Sequence, residues 1–105
     1  MTKVIVNSGA CGYTVTITAE KGKDKKIAVF LDTDCEMVGK MLADIALVDQ
    51  RVTLTNLRDN PVYQSAAKHL KHAACPVPSA ILKAIEVEAG LNVSKDVRIE
   101  FIREK

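Results

Sequence analysis

The first third of the chain alternates apolar and polar residues at period two, in "KVIV" at 3–6, "YTVTITAE" at 13–20 and "KIAVFLD" at 26–32. A helix does not fit that period, because its faces repeat every 3.6 residues, whereas successive side chains of a strand point to opposite sides. Three strands are expected, forming a sheet with one side buried. In the second, Tyr13, Val15 and Ile17 share the buried side, and Thr14, Thr16 and Thr18 share the side toward water. Matching the apolar faces across a short loop at Gly22 pairs Ile17 with Ile27, Val15 with Val29 and Tyr13 with Leu31.

After residue 32 the period changes. "TDCE" reads as a capping box, with Thr33 as N-cap and Glu36 three positions on. The helix it opens carries Val38, Met41, Leu42, Ile45 and Val48 as its buried stripe. "DQRVTLTNLRDN" at 49–60 is a connection with a short strand at 52–54. Asn60-Pro61 then starts a second helix, with proline at the first helical position where its missing N–H is no loss. That helix turns Val62, Ala66, Leu70 and Ala73 inward and ends at "CPVP". A third helix, from about residue 78 to 89, buries Ile81, Leu82 and Ile85 and stops at Gly90, with Leu91 after the cap. "DVRIEFI" at 96–102 supplies a last strand with Val97, Ile99 and Phe101 on one face. The expected fold class is α+β, two-layer, with a mainly antiparallel sheet of about four strands and three helices packed on one face. At 105 residues it is a single domain, 1–105.

Composition narrows the function classes. Apolar residues make up 48% and charged residues 27%, which is ordinary for a globular chain. No segment approaches the roughly 20 apolar residues that span a bilayer, so no membrane role is expected. No secretion signal opens the sequence, and a cytoplasmic location is expected by default. A net charge of +2 gives little long-range attraction to nucleic acid. The one basic run, "KGKDKK" at 21–26, is broken by Gly22 and Asp24 and reads as a solvated hairpin tip. Tyr13, Phe30, Tyr63 and Phe101 do not interleave with basic residues as a single-strand stacking platform requires, so no nucleic-acid partner is expected.

Three cysteines remain, Cys11, Cys35 and Cys75, none inside a periodic apolar run. An odd number in a cytoplasmic chain argues against structural disulfides. Cys11 lies in "SGACGY" at the entry to the second strand, and Cys35 lies just past the third. Antiparallel pairing brings the start of one strand beside the end of the other, so both cysteines fall at one edge of the sheet. Cys75 sits in the break before the third helix. Helix N-termini offer free N–H groups and positive partial charge, which favour thiolates and anions; Cys35 lies in the first turn of the first helix and Cys75 just before the third. Gly9 and Gly12 allow a turn whose backbone can approach a bound ion or cluster. His69 and His72, at three-residue intervals before Cys75, are candidate fourth ligands beside three thiolates. The plainer alternative is that the cysteines pack as small apolar residues and the histidines lie on the surface.

The segments "GACGYTVTI", "DCE" and "HLKHAACPVPSAILKAIEVEAGL" together resemble a family of short, functionally uncharacterised proteins from anaerobic microbes. The resemblance covers nearly the whole chain and implies that Cys11, Cys35 and Cys75 are the family's characteristic residues. It brings no activity or cofactor. An anaerobic source would suit an oxygen-sensitive cluster.

The leading reading is therefore a metal or iron–sulfur binding protein. Soft thiolates select zinc, copper(I) or clusters over magnesium and calcium. A cysteine followed by proline occurs in ferredoxin runs, but the spacings here match none of them, which leaves zinc and cluster level. The second reading is thiol chemistry, with Cys35 as nucleophile or redox centre and another cysteine as its resolving partner. The third is a non-catalytic homodimer formed through an exposed apolar face. No small-molecule substrate or reaction is read from these residues.

Overall fold

The structure, a computed structural model, describes residues 1–104. Strands β1 (Thr2–Asn7), β2 (Thr14–Lys21), β3 (Lys26–Thr33) and β4 (Leu47–Asp49) form one sheet in the order β1-β2-β3-β4, each neighbour antiparallel. The helices are α1 (Glu36–Ile45), α2 (Pro61–His69) and α3 (Val77–Glu88). One sheet face supplies Val15, Ile17, Ala19, Ile27 and Val29 to the core, where they meet Val38, Met41 and Ile45 of α1, Val62 of α2 and Val77, Ile81 and Ile85 of α3. On the other face Ile5, Phe30 and Leu47 stay exposed, so the helices cover one side only. The class is α+β, and among the described residues no helix is long and apolar enough to cross a membrane.

The register of β2 and β3 differs from the expected one. Ile17 pairs with Leu31, Ala19 with Val29 and Lys21 with Ile27, so each β3 residue meets a β2 partner four positions later than expected. An even shift keeps side chains on their faces, so Val15, Ile17, Ile27 and Val29 are buried as expected, whereas Tyr13 lies before the start of β2 and is 41% exposed. A tighter turn causes the shift. Lys26 N–H donates to the Lys23 carbonyl at 3.1 Å, and Asp24 and Lys25 both take positive φ, 58° and 61°, as hairpin turns of the I′ kind require. Asp24-Lys25 replaces the usual glycine-containing pair there, and its cost in left-handed backbone hid the turn from a search for glycine.

Two expected strands are corrected. Residues 52–54 belong to a 3₁₀ helix, Gln50–Leu54, and the strand lies just before it at Leu47–Asp49, with Val48 opposite Ile27. Asp49 switches the chain between the two, because its carboxylate accepts the Arg51 N–H at 2.9 Å and caps the 3₁₀ turn. No strand forms at 96–102. Val97, Ile99 and Phe101 alternate as expected but are 58%, 77% and 93% exposed, with no sheet neighbour.

The helices follow the sequence more closely. Asn60 caps α2, its Oδ1 accepting from Val62 N–H at 3.0 Å while its Nδ2 donates to the carbonyls of Val52 at 2.7 Å and Thr55 at 3.1 Å. Wholly buried, it ties the 3₁₀ segment to the start of α2. α2 ends at His69, short of the apolar stripe drawn to Ala73, which is exposed. α3 ends in a Schellman cap: Gly90, at φ 77°, donates to Val87 and Leu91 donates to Glu86. α1 starts two residues later than expected, with Cys35 rather than Thr33 as N-cap, and Thr33 Oγ1 accepts the Cys35 N–H at 3.1 Å.

Candidate functional site

Cys11 ends a 3₁₀ turn, Gly9–Cys11, between β1 and β2. Gly12 N–H donates to the Gly9 carbonyl at 2.9 Å, and Ser8 N–H donates to Tyr13 at 3.1 Å, closing the loop onto itself. Gly9 and Gly12 both sit at φ 79°, where a side chain would be strained, yet a Cβ on either would meet nothing within 4 Å. Backbone conformation therefore requires these glycines, not a close approach to other protein atoms. The turn stands out into solvent and exposes the Cys11 side chain.

Cys35 is placed by the end of β3 and the first turn of α1. It is 7% exposed and belongs to the main core cluster. Because β2 begins opposite the end of β3, with Val15 beside Thr33, the Cys11 turn and Cys35 lie at the same end of the sheet.

Cys75 reaches that end by way of α3. At the C-terminus of α3 Glu88 is held at the other end of the sheet: Oε1 accepts from Thr2 Oγ1 at 2.7 Å, Oε2 accepts from Lys21 N–H at 2.9 Å, and the terminal amine of Met1 is 3.3 Å from Oε1. Thr2 opens β1 and Lys21 closes β2. Twelve residues of helix, about 18 Å at 1.5 Å per residue, then carry the N-terminus of α3 the length of β1, which at six residues spans about 20 Å. Val6, Asn7 and Pro76 line one cleft, in keeping with that placement. Cys75 N–H donates to the His72 carbonyl at 3.2 Å, and the half-buried Cys75 side chain packs against the same core as Cys35. All three cysteines are free thiols. The segments that carry them lie toward one end of the sheet, and among the described residues no group of three or more His, Cys, Asp or Glu side chains is arranged to hold a metal ion.

The two histidines separate. His72 is exposed, in the turn leading to Cys75. His69 is engaged elsewhere, its Nε2 3.0 Å from Asp44 Oδ2. Asp44 lies near the C-terminus of α1, nine residues beyond Cys35, or roughly 13 Å along the helix axis. His69 thus faces the end of α1 opposite Cys35.

Around Asp44 is a cluster the sequence reading missed. Ser65 Oγ donates to Asp44 Oδ2 at 2.7 Å and Lys68 Nζ lies 3.5 Å from Oδ1, so three residues of α2 converge on one carboxylate of α1. The Ser65 hydroxyl foremost, with help from His69 and Lys68 and against partial desolvation, holds the Asp44 carboxyl below its ordinary value. Serine and histidine here both address the aspartate and not each other, which makes a helix-to-helix clamp rather than a nucleophile with its base. The available signal was Ser65 and His69 at i, i+4 on one face of α2. Two more carboxylates behave alike. Glu88 is held below its ordinary value chiefly by the Thr2 hydroxyl and then by Lys21 N–H. Asp49 is lowered to about 2 by the Arg51 side chain, which is bidentate at 3.0 and 3.1 Å, and next by the Arg51 N–H.

No curated protein and no solved structure matches the chain. A family model does match, over residues 2–101, which takes in all three cysteines and every strand and helix described above: the chain belongs to the family of unknown function DUF6951.

Proposed function

We propose that the pole carrying Cys11, Cys35 and Cys75 is a thiolate site for a soft metal, either zinc or an iron–sulfur cluster. What supports the reading is the convergence of three cysteines far apart in sequence through three different connections: a β-turn loop, a strand-to-helix junction and a helix-to-helix break. Their donor chemistry suits zinc or a cluster and not a hard cation. Cys35 and Cys75 rest against one core, while Cys11 sits on a glycine-bounded turn that must close toward them to complete the ligand set. His72 is the nearer candidate for a fourth ligand, since His69 would first have to leave Asp44.

Elemental analysis and an absorption spectrum of protein purified without oxygen test this. Stoichiometric zinc, or the visible absorption of a cluster, should be found and should be lost on replacing any one of the three cysteines with alanine. Protein that takes up neither zinc nor a reconstituted cluster would overturn the proposal.

One observation favours a second reading. With no three-ligand group formed among the described residues, and with thiols of unequal exposure at one pole, a pair of these cysteines can serve as a redox couple. A disulfide between two of them on mild oxidation of metal-free protein, mapped by mass spectrometry, would select this reading over the first.

A further inference from the structure

The sheet has an unpaired edge at β1 and the chain has an unpaired strand-like segment at its C-terminal end. Among the described residues, β1 has a strand neighbour on one side alone, β2. Unpaired strand edges offer a row of free N–H and C=O groups to another chain, and proteins ordinarily cover or blunt them. Residues 96–101 match β1 in length and carry Val97, Ile99 and Phe101 on one side. Arg98 and Glu100 are ion-paired, as two side chains on the same face of an extended segment should be. The segment does not pair with β1 of its own chain. Instead a cleft of about 1040 Å³ separates the two, lined by all of β1, by Ala80 and Val87 of α3 and by residues of the segment itself.

We infer that the β1 edge is closed by residues 96–101 of a second copy of this chain, and that the exchange is reciprocal. One two-fold operation places each segment on the other copy's edge and leaves neither β1 exposed, as an isologous interface requires. Val97, Ile99 and Phe101 then extend the buried sheet face beyond Val4 and Val6 and cover Ala80 and Val87, while Arg98 and Glu100 lie on the outer face with Lys3 and Ile5. Gly90, at positive φ in the cap of α3, is the point from which the segment swings away. The family match, running from residue 2 to 101, includes both the edge and the segment that closes it. The inference is independent of the metal proposal.

Sedimentation velocity on the full chain, from micromolar to submillimolar concentration, should show a monomer–dimer equilibrium. Ile99→Asp puts a charge on the pairing segment at a side chain that is 77% exposed in the single chain, so folding should survive and the dimer should weaken by about tenfold or more. In a mixture of isotope-labelled and unlabelled protein, NMR contacts between chains should join residues 97–101 to residues 3–6. A chain that stays monomeric throughout, a dimer that Ile99→Asp leaves unchanged, or contacts between these segments found only within one chain would each overturn the inference.

Discussion

The two ends of this domain are built differently. At one end of the sheet side-chain carboxylates stitch elements together: Glu88 joins α3 to β1 and β2, and Asp49 ties β4 to the 3₁₀ helix through Arg51, with Lys26 of β3 4.0 Å away. Asp44 clamps α2 onto the later part of α1 in the same manner. At the cysteine pole the described ion pairs are absent, and the connections are held by short backbone bonds such as Ser8 to Tyr13 and by the Thr33 hydroxyl on Cys35 N–H. Charged carboxylates fixed by several donors hold geometry, and three free thiols among backbone turns leave room to adapt to a ligand. The difference teaches that the scaffold function is concentrated at one end and the candidate chemistry at the other.

If that division is right, core substitutions toward the anchored end should cost the most. Ile85→Ala, at a wholly buried position one turn from Glu88, should lower stability by about 2–5 kcal/mol in denaturant unfolding. Asn60→Ala follows. It removes the α2 cap and the side-chain donor to the carbonyls of Val52 and Thr55, leaving the Val52 carbonyl with the Thr55 N–H at 3.2 Å, a loss of about 1–3 kcal/mol.

Acid should act selectively on the anchored end. Glu88, Asp44 and Asp49 all titrate below their ordinary values in the folded chain, so the stability they contribute is complete above the unfolded values, 4.5 for Glu and 3.8 for Asp, and is lost as pH falls through the folded ones. Unfolding midpoints should decline from near pH 4.5 and continue to fall toward the Asp49 value of about 2. Hydrogen exchange should show protection at Lys21 lost before protection at Gly39, whose N–H donates to Cys35. Simultaneous loss at both would show that the ends are not separable.

The smallest structural effects belong to the cysteines. Cys11→Ala, at an exposed position, should leave stability unchanged, and Cys35→Ala should cost only about 1 kcal/mol. Both should nonetheless abolish metal retention. A large loss of stability with Cys11→Ala would contradict the assignment of this turn to function.

The fold class was readable because period-two alternation and the helix stripe are local signals, and a register slip of four residues leaves them intact. The slip itself came from Asp24 and Lys25 adopting left-handed backbone, a choice that residue type argues against. The segment at 96–102 misled for a different reason: its pattern is that of a strand, but a pattern specifies faces and not a partner. Antiparallel pairing of β2 and β3 puts the Cys11 turn and Cys35 at one end of the sheet, which the sequence could report, whereas the position of Cys75 depends on where Glu88 anchors α3, a contact between residues 86 positions apart that no local period reports. His69 was drawn toward the cysteines by spacing alone, and Asp44, on another helix, holds it instead.

The central claim is that Cys11, Cys35 and Cys75 act as one ligand set. X-ray absorption at the edge of the bound metal measures this directly in protein purified without oxygen. Three cysteine sulfurs about 2.3 Å from zinc, or the sulfur and metal shells of a cluster, are the predicted result. A first shell of nitrogen and oxygen only, or protein that holds no metal under any loading condition, would contradict it.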